Sequence, residues 1–303
     1  MRGFWVLLGL LSALALTVPQ VNAQMRGGKG SKGEGAGGGR MDGSPPEKAQ
    51  PPEEAGTQGR LAPEMVAPFA PRLATMEQMK AAGFFATGLK PVYPKEAKCL
   101  EVSSPFASES RGDGSRRSRQ FYSGYHGGID IPAPEGTPIL AAAAGTVVHK
   151  GEGIGIGGIG VILQHAPEDT GLPVWTYTEY KHLRELPDLE VGRRVEMGQV
   201  IAYAGVTGTT GGYYGPAGSP HLHLTAFFSP GKEFAIARQV VFVPIEGEWM
   251  DPLALFRGPP LKSAEVRDLS NDKKVVHFAY KTTDGRLVPE GAKVIWPFAC
   301  EPR

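Results

Sequence analysis

From Cys99 onward the apolar residues come in short runs broken by Gly, Pro and Asp, the punctuation of a strand-rich chain. Strands are expected at Pro138–Val148, over an Ala-rich segment, and at Gly160–Gln164, where the run is continuous enough to be buried. Val174–Tyr180 alternates as a half-exposed strand does, and Gln199–Ala204 and His221–Phe228 read as two more. No long amphipathic helix separates these runs, which argues against parallel βαβ units. In the tail, Lys274–Lys281, the dipeptide Asp284-Gly285 and Ala292–Trp296 together predict a hairpin. The clearest helical signal is short, Thr75–Ala86, with Met76, Met79 and Phe84–Phe85 as a docking face. The expected fold class is all-β: an antiparallel β-sheet domain with a groove across it, plus a short C-terminal β-hairpin extension.

The first residues have a different texture. Arg2 precedes an apolar run from Phe4 to Val18, and Val21-Asn22-Ala23 supplies small residues for a signal peptidase. The run is shorter than the ~20 residues that span a bilayer. Residues 1–23 are therefore expected to be a signal peptide that leaves no membrane insertion after cleavage. No Cys lies near the cleavage site to carry a lipid. Residues 24–62 are Gly-, Pro- and charge-rich and cannot repay ordering entropy by burial, which predicts a disordered linker. The rest divides into a lead-in with its short helix (63–102), the main domain (103–257) and the C-terminal extension (258–303). An exported chain, periplasmic or extracellular, oxidises its thiols. Cys99 and Cys300 are the only two cysteines and flank the main domain, so a disulfide between them is expected. With 32 Lys and Arg against 31 Asp and Glu, the net charge of +1 gives no electrostatic footprint for nucleic acid. A monomer acting through local chemistry is expected.

That chemistry lies in the histidines. The chain has seven, and three groups stand out: His126-Gly-Gly-Ile-Asp130, Tyr180-Lys-His182-Leu183 and Pro220-His221-Leu222-His223. His and Asp both ligate zinc, at about 2.0–2.2 Å. Four residues of flat strand would span about 13 Å, so His126 and Asp130 can share an ion only if the chain bends at Gly127 and Gly128. His221 and His223 are two apart on a strand and share a face; Leu222 and Leu224 take the opposite one. One imidazole could ligate a metal while its neighbour reaches the bound water. Three protein ligands and an open position mark catalytic rather than structural zinc.

Taken together, these motifs resemble the lysostaphin/LytM-type zinc endopeptidases. The connecting residues agree: Ile129-Asp130-Ile131-Pro132-Ala133, Gly136-Thr137-Pro138, Ala144-Gly145-Thr146-Val147, the glycines at 192 and 198, and Gly205-Val206-Thr207-Gly208. The resemblance covers residues 103–252. It implies one Zn2+ per chain held by His126, Asp130 and His223, with His182 and His221 catalytic beside the bound water. It further implies hydrolysis of peptide bonds in bacterial peptidoglycan cross-links or stem peptides. Two rivals are a wall-binding adaptor without activity and a secreted protease acting on Gly-rich proteins. The Arg-rich stretch 111–119 and an insertion at Gly211–Gly218 depart from the pattern. Arg116, Arg117 and Arg119 are expected in a solvated loop, and His165 is expected to be structural, with His149 and His277 at strand edges. The tripeptide Arg111-Gly112-Asp113 is read as a chance match.

Overall fold

The alternation His, Leu, His, Leu opens the nine-residue strand His221–Ser229. The computed structural model describes residues 61–153, 157–208 and 219–303. The expected signal peptide (1–23), nearly all of the expected linker (24–62) and the insertion at Gly211–Gly218 lie outside them. Chain contacts define two units, Met1–Ala49 and Gln50–Arg303, and the described residues all belong to the second.

Seven of the described strands form the principal sheet: β1 (Ile129–Pro132), β2 (Gly145–Gly153), β3 (Gly158–His165), β4 (Trp175–Lys181), β5 (Arg194–Val195), β6 (His221–Ser229) and β7 (Glu248–Met250). Their order is β7-β6-β4-β3-β2-β5, and every pairing is antiparallel. β6 has β4 along one edge and shares the other between two partners. Its first half pairs with β1, from His221 opposite Pro132 to Leu224 opposite Ile129. Its second half pairs with β7, from Ala226 opposite Met250 to Phe228 opposite Glu248.

The alternation along β6 separates core from chemistry. Leu222 and Leu224 are fully buried beside Ile129 and Ile131, each contributing about 1.5–3 kcal/mol by burial. His221 and His223 project from the other face. The register sets His223 opposite Asp130 on β1 and opposite Lys181 on β4. The fold class is all-β, as the sequence predicts.

Two expected elements are built differently. Pro138–Val148 is not one strand. Pro138–Leu140 pairs with Val200–Tyr203, and β2 begins only at Gly145. Between them Ala141, Ala142 and Ala143 are fully buried. Their small side chains let the backbone cross the core, where the Ala142 N–H donates to the Tyr180 hydroxyl at 2.9 Å. The C-terminal hairpin is also different. Val275–His277 pairs in parallel with Lys90–Val92, and Tyr280–Lys281 pairs with Leu287–Val288 across the Asp284-Gly285 turn. Ala292–Trp296 forms no strand, only an isolated bridge from Ile295 to Ala279. Trp296 is fully buried, stacks on Phe278 at 4.4 Å and donates its indole N–H to the Leu100 carbonyl. That apolar run fills the core instead of extending a ladder.

The lead-in helix is shorter than its pattern. Thr75 and Gln78 form a capping box around Met76–Ala81, and the helix stops before Gly83 at φ 84°. Phe84 then turns into the core. Further along the lead-in, Phe69 stacks on Trp249 at 5.8 Å, Pro68 accepts the Trp249 indole N–H, and the Pro71 carbonyl accepts the Tyr122 amide. The lead-in thereby braces the segment that precedes His126. At the far end, Glu301–Pro302 pairs with Ala97–Lys98, and Cys99 is bonded to Cys300. No helix among the described residues is long and apolar enough to cross a membrane.

Candidate metal centre

His126, Asp130 and His223 arrive from three directions at one buried point. His126 is 1% exposed and Asp130 4%. Between them the chain turns across Gly127 and Gly128, neither of which has positive φ. Glycine at 128 is required by close approach, not by backbone conformation. A Cβ there would lie 2.3 Å from the Leu224 carbonyl oxygen and 2.9 Å from His223 Nε2.

Asp130 Oδ1 lies 2.9 Å from His126 Nε2 and 2.9 Å from His223 Nδ1, and those two nitrogens are 3.0 Å apart. The partners of the other ring nitrogens define the tautomers. His126 Nδ1 faces the Pro105 carbonyl at 3.0 Å, which can only accept, so the proton sits on Nδ1 and Nε2 carries a lone pair. His223 Nε2 meets the Thr225 hydroxyl at 3.0 Å, leaving Nδ1 to face Asp130. Burial lowers the pKa of His126 and takes His223 down to about 3. Burial opposes the Asp130 carboxylate, but the charge and hydrogen bonds of His126 and His223 outweigh it and hold this group well below the usual range. Two histidine nitrogens and a carboxylate oxygen therefore converge on one buried point, a donor set that fits a cation; these ligand atoms all lie within 4.8 Å of one another.

Two more histidines flank the point. His182 follows β4 at φ 63°, a strained value for a non-glycine residue. Its Nδ1 donates to the Thr207 carbonyl at 2.7 Å. Burial first, then the nearby His221 and His223, hold its pKa well below the ordinary imidazole range. His221 Nδ1 donates to the Ser219 carbonyl at 2.8 Å, and its Nε2 stands 3.7 Å from Asp130 Oδ1. The His182 ring is centred 4.7 Å from that of His221 and 5.7 Å from that of His223. All five candidate site residues thus meet in one place.

The other histidines do not join them. His165 is fully buried between the Ala144 carbonyl and the Thr178 hydroxyl. His149 lies half-buried on β2, and His277 is exposed on its short strand. The Arg-rich stretch is not uniformly solvated. Arg116 and Arg119 are exposed, but the side chain of Arg117 is only 15% exposed. One of its guanidinium nitrogens donates to Asp130 Oδ2 at 3.0 Å and to Ser104 Oγ at 2.7 Å. No spacing in the sequence marks Arg117 apart from its neighbours. Arg111 is folded onto its own loop, its guanidinium bonded to the Arg116 carbonyl. The Arg-Gly-Asp tripeptide is therefore held within a hairpin.

Arg111, Arg117, Phe121, Tyr122, Tyr125 and Lys181 line a cleft over the cluster. It is continuous with a second cleft along the face of the sheet, bordered by Arg72, Leu73, His149, Glu179 and Arg238.

An antiparallel sheet with this cluster where β1 meets the start of β6 defines a candidate metallohydrolase domain. Residues 124–232, about a third of the chain, match the model of Peptidase family M23. The chain is 38% identical over 101 residues to a DD-carboxypeptidase/endopeptidase Mpg from Neisseria meningitidis, covering 33% of this chain and 20% of that protein. It is 34% identical over 131 residues to an uncharacterized metalloprotease from Haemophilus influenzae, covering 43% and 23%. The chain thus spans about a fifth of the length of these curated relatives. Among solved structures, the catalytic domain of the antimicrobial peptidase lysostaphin from Staphylococcus simulans is similar over 43% of this chain and 80% of that one, at 25% identity and a TM-score of 0.32.

Proposed function

We propose that this chain is an exported, zinc-dependent endopeptidase that hydrolyses peptide bonds in bacterial peptidoglycan. One observation carries the reading: Asp130 Oδ1, His126 Nε2 and His223 Nδ1 converge within about 3 Å of one another. That donor set suits zinc, which accepts imidazole and carboxylate together. His126, Asp130 and His223 would hold the ion. When bound, zinc supplies a Lewis acid for the scissile carbonyl and lowers the pKa of an attacking water toward ~7.

The remaining steps belong to the chain. The carbonyls of Thr207 and Ser219 fix Nδ1–H on His182 and His221, so each ring presents Nε2 as its basic nitrogen. His221 Nε2, beside Asp130, takes a proton from water as its oxygen bonds to the carbonyl carbon. His182, across the same point, presents a second basic Nε2 that accepts a hydrogen bond from the attacking water and orients it. As the C–N bond breaks, the proton held by His221 passes to the leaving amine. The cleft over the cluster is open along the sheet, which suits an extended peptide.

The match of residues 124–232 to the M23 family model supports peptidoglycan as substrate, and the Cys99–Cys300 bridge supports an oxidising compartment beside the wall. The test is digestion of purified peptidoglycan and a Gly-rich protein side by side, with zinc analysis and mass identification of the products. New amine and carboxyl ends in muropeptides, lost on chelation and restored by zinc, are expected. Intact muropeptides with zinc bound would leave a wall-binding adaptor. Cleavage of the Gly-rich protein alone would replace the substrate.

A further inference from the structure

Arg117 reaches the cluster with a direct bond to Asp130, and its placement divides the two oxygens of that carboxylate. Oδ1 faces His126, His223 and His221 at 2.9, 2.9 and 3.7 Å. Oδ2 faces away from them and accepts from Arg117 at 3.0 Å. The same guanidinium nitrogen bonds Ser104 Oγ, and Arg117 Nε donates to the Ser110 carbonyl at 3.3 Å. Ser104 is itself 1% exposed and lies in a bridge to Asp130, with the Asp130 amide donating to the Ser104 carbonyl at 3.0 Å. Arg117 therefore grips the carboxylate and the backbone that carries it.

We propose that Arg117 is a positioning residue that holds Asp130 as a single-oxygen ligand, with Oδ1 alone offered to the metal. The physical ground is competition for lone pairs. A carboxylate with both oxygens available can rotate and chelate through the pair, filling a coordination position that water must occupy. Engaging Oδ2 in a charge-assisted hydrogen bond removes that option and fixes the rotamer. The opposing effect is electrostatic, since a guanidinium beside a cation site repels the cation. Two features make orientation the larger effect. The guanidinium bonds Oδ2, not the Oδ1 that meets the histidines, and its charge is paired with that of Asp130. The Arg-rich stretch 111–119 is thereby more than a rim of the cleft: it reaches the centre through this one side chain.

This inference rests on the zinc reading above, so the experiment separates the two. Purified wild type, Arg117→Met and Arg117→Lys are titrated with zinc against a chromophoric chelator, and each is loaded with cobalt(II) for visible absorption. Wild type that takes up no zinc would remove the function proposed above. With wild-type binding established, Arg117→Met should bind zinc about 10–100-fold more weakly. Its cobalt spectrum should lose intensity as Asp130 chelates through both oxygens and the coordination number rises. Arg117→Lys, which keeps the charge without the planar fork, should recover part of both. Unchanged zinc affinity and an unchanged cobalt spectrum in Arg117→Met would overturn the proposal, as would tighter zinc binding. Should Arg117→Met not fold, the same two readings on Arg117→Lys decide. A merely structural role would lower the melting temperature and leave the cobalt spectrum alone.

Discussion

The rings of His182 and His221 stand 4.7 Å apart, each with Nδ1 turned onto a backbone carbonyl. Neither ring belongs to the converging triad, so losing one should not release the ion. Loss of a general base costs about 10²–10⁴-fold in rate. His182→Ala and His221→Ala are therefore expected to keep near-normal zinc and lose most of kcat, His221→Ala the more severely. Zinc content, melting temperature and peptidoglycan turnover measured together test this. A fully active His221→Ala enzyme would sink the mechanism.

Much of this site was legible because strand periodicity is rigid. Two residues apart on β6 means one face, so His221 and His223 had to share it while Leu222 and Leu224 went to the core. The convergence of His126 with Asp130 was also legible, but for a different physical reason than expected. Gly128 serves the approach of the Leu224 carbonyl, a contact with a strand nearly a hundred residues away that local sequence does not encode. Arg117 was hidden for the same reason: four arginines fall within 111–119, and only tertiary placement singles one out. The C-terminal hairpin failed because Trp296 gains more from burial against Phe278 than from a ladder.

The triad makes a sharper demand than the flanking histidines. Each of His126, Asp130 and His223 offers one of three convergent ligand atoms. His126→Ala, Asp130→Ala or His223→Ala should each lose bound zinc and activity together. Elemental analysis after dialysis checks it. Full zinc content with full turnover in any one of them would show that residue to be no ligand.

The Cys99–Cys300 bridge closes a loop of 201 residues. In the chain-entropy model a loop of this length stabilises by about 5 kcal/mol. Cys300→Ser should lower the urea midpoint substantially while sparing the residues of the metal cluster, and no free thiol should be found in denatured, unreduced wild type. Two titratable thiols per chain would rule the bridge out.

Asp251 provides a stability prediction away from the site. Its carboxyl is 3% exposed, accepts from the Leu253 amide at 2.9 Å and from the Thr87 hydroxyl, and caps the helix Pro252–Arg257. Burial raises its pKa to about 6, against the lowering effect of those hydrogen bonds. Between the ordinary value of 3.8 and about 6, the native state keeps a proton that the unfolded chain has lost. Stability contributed by this group therefore falls as pH rises through that window, and the full cost stands above it. Asp251→Asn keeps an effective helix cap without the charge. The variant should match wild type near pH 4 and exceed it above pH 6, by up to about 3 kcal/mol for a shift of this size. His165 titrates with the opposite sign. Its pKa is lowered to about 4 by burial, so its contribution is complete above 6.5 and is lost as pH falls toward 4. Because His165 is present in both proteins, its slope cancels in the difference between them. Urea unfolding of the pair at half-unit steps from pH 4 to pH 8 measures that difference, and a variant less stable than wild type at pH 8 would show that the ionised carboxylate is favourable where it lies.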